Sequence, residues 1–189
     1  MSLRGLLTVL IAAPLLASGC GSEPGPDRQG TPVAAGVQRA ELDWVERFPE
    51  TGPALVFTTT AFAVTADGWN ADVAIENETG ISWELGSNAI AVEQAFGVML
   101  FETGELDEVE RRNADSELPG LRAARTFSPA LPLTLAPGER WEGTISAPGS
   151  LGVGRFVRLV FGALTAVGDP PEGLERQVVW ITDGAYRLR

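Results

Sequence analysis

Polar and apolar residues alternate along most of the chain from residue 55 onward. The clearest runs are residues 69–76, 81–85 and 140–145, where tryptophan or another apolar residue occupies every second position. Successive side chains of a strand point to opposite faces of a sheet, so each run predicts a strand with one packed and one wet face. Strand-like runs without such strict alternation are residues 55–65, 96–102, 131–135, 155–167 and 177–182.

Turn sequences separate these runs. Ala66-Asp67-Gly68 predicts a tight hairpin, Ala136-Pro137-Gly138-Glu139 predicts a turn, and Asp183-Gly184 offers the positive φ that a two-residue hairpin needs. Seven or eight short strands at this spacing predict an all-β fold, either a sandwich or a barrel. The strand order, with Trp83 on an early central strand, resembles an immunoglobulin-like sandwich, which implies two antiparallel sheets packed face to face.

Residues 37–48 depart from the period of two. Val37, Ala40, Trp44 and Phe48 follow one another at spacings of three and four, and Pro49 comes directly afterwards. This pattern predicts a short amphipathic helix before the sandwich. Its polar residues include Glu41, Asp43 and Glu46, unlike the basic face of membrane-surface helices, so we expect the helix to pack on the domain.

The connection at residues 103–125 is far longer than its neighbours, and residues 105–113 within it are predicted to be briefly helical. Connections beyond about 12–15 residues are usually functional or mobile, which makes this one the best candidate for a recognition element. Its candidate recognition residues are Glu105, Asp107, Glu108, Glu110, Arg111 and Arg112. The four acids among them leave calcium binding open as an alternative, although they lack the spacing of a calcium-binding loop.

The N-terminus has the three-part pattern of a secretory signal. Arg4 is followed by an apolar stretch over residues 5–16 and by the small residues Ala17-Ser18-Gly19. A membrane-spanning helix needs about 20 apolar residues, and this stretch is shorter and interrupted by Pro14. Residues 1–19 are therefore predicted to be a cleaved signal peptide.

Leu16-Ala17-Ser18-Gly19-Cys20 resembles the lipobox of bacterial lipoproteins. The resemblance implies cleavage in front of Cys20, a diacylglyceryl group on its thiol and acylation of its amine. Two or three acyl chains hold a protein durably at a membrane, whereas one binds only marginally. We therefore expect a lipid-anchored, extracytoplasmic protein of the cell membrane or outer membrane.

The rest of the chain divides into a tether and one domain. Removal of residues 1–19 leaves 170 of the 189 residues, which is the size of a single domain. Residues 20–36 are rich in glycine and proline without any apolar period, so we expect a flexible tether there. Residues 37–189 are predicted to form the sandwich.

The amino-acid composition excludes several kinds of catalytic and binding site. The chain has no histidine, no lysine and only Cys20, so Ser-His and Cys-His catalysis, Cys/His zinc sites and lysine-dependent phosphate loops are excluded. The net charge is −11, and loss of Arg4 with the signal peptide makes it −12, which disfavours nucleic acid. Trp69, Trp83 and Trp141 have the inward phase of core residues, and this leaves Trp44 and Trp180 as candidate surface rings.

We therefore expect a membrane-tethered, non-catalytic module that recognises another envelope protein through its sheet edges and residues 103–125. The alternative is a binding protein for a small ligand or for Ca²⁺. A hydrolase that uses two carboxylates is a more distant alternative, because the acids fall on wet strand faces or in the long loop. No cofactor is expected.

Overall fold

The computed structural model describes residues 33–85 and 95–189. The predicted signal peptide, Cys20 and residues 20–32 of the predicted tether lie outside the described residues. Within the described part, two mainly antiparallel sheets form an all-β sandwich, as the alternation predicted. No helix among the described residues is long and apolar enough to cross a membrane.

Twelve strands and one helix make up this part of the chain. In order they are β1 Gln38–Phe48, β2 Leu55–Val64, β3 Gly68–Asn77, β4 Trp83–Glu84, β5 Gly97–Phe101, α1 Leu106–Ala114, β6 Arg122–Ala123, β7 Thr126–Ser128, β8 Thr134–Leu135, β9 Arg140–Pro148, β10 Phe156–Ala166, β11 Gln177–Ile181 and β12 Tyr186–Arg187. Short segments such as β6 and β12 explain why the count exceeds the seven or eight strands expected.

The first sheet has the order β1-β2-β3-β9-β7. β1, β2 and β3 follow one another in antiparallel hairpins, and the predicted turn at residues 66–68 joins β2 to β3. β9 then pairs along the whole of β3. The predicted turn at residues 136–139 precedes β9 and is closed by the Glu139 amide, which donates to the Ala136 carbonyl at 3.0 Å.

The second sheet is built around β10. Thr165 of β10 pairs with Glu84 of β4 and with Gln177 of β11, so β4 and β11 lie on opposite sides of β10. β5 lies end to end with β4 on one side, and β12 follows β11 along the other. β11 therefore lies at an edge of this sheet.

The core fills the space between the two sheets. Trp69, Trp83 and Trp141 are buried in it, which confirms the phase assigned to their strands. The indole N–H of Trp83 donates to the Thr79 hydroxyl at 3.0 Å, and Thr79 in turn donates to Asn77 at 2.6 Å. The N–H group of Trp83 is thereby satisfied without access to water.

The helix predicted over residues 37–48 is wrong, because these residues form β1. Ala40, Leu42, Trp44 and Phe48 share the inward face with Glu46, while the intervening residues face solvent. An acid at an inward position hid the period of two from the sequence pattern. The spacing of three and four arose because Val37, which is 75% exposed and precedes β1, was counted with the inward residues while Leu42 was not.

The hairpin predicted at Asp183-Gly184 is also wrong. β11 before it and β12 after it run along the same side of β10, so the chain continues there instead of reversing. Gly184 does not have a positive φ. Two predicted strands, residues 81–85 and 131–135, are shorter than expected and pair only at β4 and β8.

Residues 33–36, the end of the predicted tether, are bonded to the domain. The Ala35 amide donates to the Leu151 carbonyl at 2.7 Å, and the Gly36 amide donates to the Arg189 carbonyl at 3.1 Å. Ala34 also forms an isolated bridge with Gly152. These backbone bonds order four residues whose composition alone predicted flexibility.

Candidate functional site

The long connection carries the helix that its sequence predicted. α1 spans Leu106–Ala114, and Glu105 is its N-cap residue. Asp107 and Glu108 lie in the first turn and Arg111 and Arg112 in the last, the arrangement that the helix dipole favours. The charged residues at both ends of α1 therefore favour the helix.

The six predicted recognition residues do not converge on one point. Glu105, Asp107, Glu110 and Arg111 are exposed, and Arg111 lies 3.7 Å from Asp115. Only Glu108 and Arg112 are brought together, at 2.9 Å. Among residues 33–85 and 95–189, no three acidic or cysteine side chains are placed to hold a metal ion.

Glu108 links the first turn of α1 to Thr103, in the connection before the helix. Its carboxylate accepts the Thr103 hydroxyl at 2.7 Å and the Thr103 amide at 3.1 Å. The Thr103 hydroxyl is the main cause that lowers the pKa of Glu108, and Arg112 acts in the same direction. Glu108 therefore has a structural role within the connection.

α1 lies beside β11 and leaves an open groove between them, which we call the outer groove. Val109 is the buried contact of the helix. The groove has a volume of about 480 Å³ and is lined by Leu106, Val109, Glu110, Asn113, Leu118, Val179, Trp180, Ile181 and Asp183. Two large apolar side chains reach solvent here, since Leu106 is 38% exposed and Val179 is 54% exposed.

A second groove lies between β11 and the end of β1, and we call it the inner groove. It has a volume of about 530 Å³ and is lined by Val45, Glu46, Arg47, Phe48, Pro49, Glu50, Trp180 and Asp183. Val45 is 64% exposed at its rim. The two grooves share Trp180 and Asp183, so they lie on either side of β11.

Glu46 joins the two sheets between these grooves. Its carboxylate accepts the Trp180 indole N–H at 2.6 Å, and it also accepts the backbone amides of Asp183 and Gly184, each at 3.1 Å. This inter-sheet link involves a residue that sequence reasoning did not single out. The signal that could have found it is an acid on the inward side of an alternating strand.

Arg158 of β10 lies wholly buried behind the same region. Its guanidinium donates to the carbonyls of Thr182, Asp183 and Gly104, with distances of 2.7 Å to Thr182 and to Gly104. Its Nε has no partner in the structure. Burial lowers the pKa of Arg158, and the surrounding carboxylates of Asp183, Glu46, Glu108 and Glu105 oppose that shift.

Arg158 therefore holds two other segments of the chain against β10. The carbonyls it binds lie at the start of the long connection and at the break between β11 and β12. The sequence signal that could have found it is an arginine inside the largely apolar run of β10. A buried cation that is held by backbone carbonyls fixes the position of those carbonyls.

The two candidate surface tryptophans are both half-buried. The Trp180 ring stacks on Phe57, with centroids 5.6 Å apart and planes 5° apart. The Trp44 ring covers Gly184 so closely that a Cβ there would lie 2.4 Å from it. Both rings are committed to contacts within the protein, which is unlike an open stacking platform for sugars.

Comparison of the chain with protein-family models, with curated proteins and with solved structures found no match. The two grooves and the residues that surround them are the structural features that bear on function.

Proposed function

We propose that the protein is a non-catalytic interaction module of the cell envelope that is anchored by lipid on Cys20 and captures another envelope protein beside β11. The immunoglobulin-like character of the sandwich, the signal peptide and the extracytoplasmic location belong to the same proposal. The observation that carries it is the pair of grooves around β11, where Val45, Leu106 and Val179 expose apolar surface.

Apolar anchor sites surrounded by polar residues are typical of protein interfaces. The outer groove has apolar residues on both walls, from α1 and from β11, with Glu110 and Asp183 beside them. In this proposal the helix in the long connection supplies one wall of the recognition surface. This placement favours a protein segment over a small ligand, because both grooves are open to solvent along β11.

The charge around the grooves indicates the chemistry of the partner. Glu50, Glu110 and Asp183 line them, and none of the three forms an ion pair with another described residue. Arg47, the one cation in the lining, is paired with Glu78 at 2.6 Å. A partner with basic residues next to its apolar anchors would complement this surface.

A site-specific photo-crosslinker tests the proposal. It would replace Leu106 in the outer groove, Val45 in the inner groove and, as the control, the exposed Thr60 on the far face of the first sheet. We expect the lipidated protein in its own membranes to crosslink to the same protein from Leu106 and Val45 but not from Thr60. Equal crosslinking from all three positions, or none from any, would contradict the proposal.

A further inference from the structure

We propose that the partner binds by adding an extended segment to the outer edge of β11, so that the second sheet gains a strand. This inference depends on the proposed function for the existence of a partner, and it adds the mode of binding and the chemistry of the segment. Strand addition uses backbone hydrogen bonds for affinity and pockets for alternate side chains for specificity.

The backbone bonds at both ends of β11 show which groups are directed outward. The Thr182 amide donates to the Leu159 carbonyl at 3.0 Å, and the Arg176 carbonyl accepts the Ala166 amide at 2.9 Å. Backbone groups of successive residues alternate in direction along a strand, so even-numbered residues of β11 face β10. The irregularity between Phe161 and Leu164 lies in β10 and leaves this alternation of β11 intact.

Gln177, Val179 and Ile181 therefore direct their N–H and C=O groups away from β10. No strand of the described part of the chain pairs with β11 on that side. The next outward amide, that of Asp183, donates to Glu46 at 3.1 Å. A carboxylate of β1 thus occupies the position of a neighbouring strand's acceptor and ends the unpaired edge after Ile181.

The long outer edge of the first sheet is a much poorer template. β1 presents the charged side chains of Arg39, Glu41, Asp43 and Arg47 to solvent, and its register shifts between Glu41 and Trp44. Charges and irregular register are the usual means by which edge strands avoid pairing. β11, in contrast, has the sequence Gln-Val-Val-Trp-Ile, without charge, proline or glycine.

The two grooves provide sites for the side chains of an added strand. Alternate residues of such a strand point to opposite faces of the sheet, so one set would enter the outer groove and the other the inner groove. Apolar residues fit beside Val179 and Leu106 in the outer groove, and beside Val45 and Phe48 in the inner groove. Basic residues at the ends of the segment would meet Glu110, Glu50 and Asp183.

A second copy of this chain fits the same edge less well. The net charge of −11 would be doubled in such a dimer, and antiparallel pairing of two β11 edges would bring the acids of both copies together. The charge of the surface therefore favours a basic segment from a different protein. A dimer would instead slow amide exchange at β11 without any peptide as the protein concentration rises.

A synthetic peptide tests strand addition without knowledge of the natural partner. The probe is a heptapeptide of alternating valine and threonine with arginine at both ends and with blocked termini. At millimolar peptide we expect amide hydrogen exchange, followed by NMR, to slow at least tenfold at Gln177, Val179 and Ile181. Val178 and Trp180, whose amides already face β10, serve as internal controls. Unchanged exchange at the three outward amides, or the same slowing without peptide as protein concentration rises, would overturn the inference.

Val179→Pro removes an outward N–H and leaves the bonds to β10 in place, whereas Val179→Thr keeps the N–H and matches the shape of the side chain. We expect at least tenfold weaker peptide binding for the proline variant and near-normal binding for the threonine variant. If the proline variant does not fold, N-methylation of the peptide replaces it. Methyl groups on one alternate set of peptide amides should abolish binding, and those on the other set should not. Equal binding of both methylated peptides would contradict strand addition.

The natural partner separates this inference from the proposed function. If Val179→Pro still crosslinks to the partner from Leu106 as strongly as the unaltered protein does, the interaction module stands and strand addition is wrong. A different result is that neither the unaltered protein nor Val179→Pro crosslinks to a partner, although the peptide slows exchange at the three outward amides. In that case the edge of β11 can accept an added strand, and the proposed function fails.

Discussion

Glu46 on β1 accepts the indole N–H of Trp180 on β11 at 2.6 Å, and this contact joins the edges of the two sheets. The same carboxylate accepts two backbone amides at the break between β11 and β12. Immunoglobulin domains often join their sheets by a disulfide. Here the sheets are joined by the Glu46 carboxylate, which accepts hydrogen bonds from three donors in or just after β11. The link should therefore matter for stability and for the shape of both grooves.

Replacing Glu46 by alanine should lower the free energy of unfolding by about 2 kcal/mol, because two partly buried donors and one exposed amide lose their acceptor. Glu46→Gln should cost less, since its amide oxygen can still accept one of the three bonds. Urea unfolding followed by tryptophan fluorescence measures both. Glu41→Ala, an exposed acid on the same strand, is the control and should change stability little. A loss for Glu46→Ala as small as that of the control would show that the link is not stabilising.

Arg158→Lys should destabilise the domain by about 2 kcal/mol, although the charge is kept. The guanidinium reaches carbonyls of Thr182, Asp183 and Gly104 together, and a compact ammonium group cannot satisfy all three. Chemical denaturation measures the loss, and hydrogen exchange should show faster opening at the start of α1. Arg155→Lys is the matched control, since Arg155 is partly exposed and pairs with Glu102. Equal stability of the two variants would contradict the role assigned to Arg158.

The sheets of this protein were more predictable than its candidate site, and particular residues explain the difference. Trp69 and Ile75 lie in runs where burial alone decides the residue type, so the alternation gives the strand and its inward face. Glu46 and Arg158 break that rule because polar groups at inward positions are stabilised by partners distant in the sequence, at Trp180 and Gly104. Local pattern contains no information about such partners.

The long connection shows the same limit. The helix in this connection was predictable for two reasons. The charges at the two ends of the helix suit the helix dipole, and the connection is longer than an ordinary turn. The groove beside it was not, because the other wall is β11, more than sixty residues later in the chain. The unpaired edge of β11 was also not predictable, because it follows from the pairing of β11 with β10 in the sheet.

The pH dependence of stability should contain a contribution from Glu108. Its pKa is lowered below the ordinary value of 4.5, chiefly by the Thr103 hydroxyl, so folding favours the ionised form. A carboxyl group with a lowered folded pKa stabilises the protein above its unfolded pKa, and that stability is lost as the pH falls through the folded value. Between about pH 6 and about pH 3, the melting temperature should fall more for the unaltered protein than for Glu108→Gln. Glu110→Gln, on the exposed side of α1, should keep the slope of the unaltered protein, and identical slopes for all three would contradict the role of Glu108.

Calcium should leave the melting temperature unchanged. Glu108 is engaged by Thr103 and Arg112, and the other acids of α1 diverge into solvent, so they do not form a cluster of oxygen ligands. A ligand that binds the folded state raises the melting temperature by mass action. A rise in millimolar Ca²⁺ that is lost in Asp107→Asn would support the alternative of a cation-binding protein.

Cys20→Ala should release the protein from the membrane or leave it uncleaved, because the thiol is the predicted lipid acceptor. Detergent-phase partitioning and the mass of the mature N-terminus measure this directly. Ser18→Ala, a small residue for another small residue in the same motif, should preserve both processing and partitioning. Membrane extraction of Cys20→Ala that equals that of the unaltered protein would contradict the lipoprotein prediction.

If the protein is anchored and binds a partner as proposed, the link between Glu46 and Trp180 has a mechanical consequence. A pull on the N-terminal side would load the bonds that residues 33–36 make to Leu151 and Arg189 and then β1, and a pull from a partner would enter through β11. The Glu46 carboxylate is a direct connection between these two parts, so it would carry part of the load between β1 and β11. Rupture of the bonds to Glu46 would free the outward amide of Asp183 and so lengthen the unpaired edge of β11. Tension on the tether would then modulate the grip on the partner.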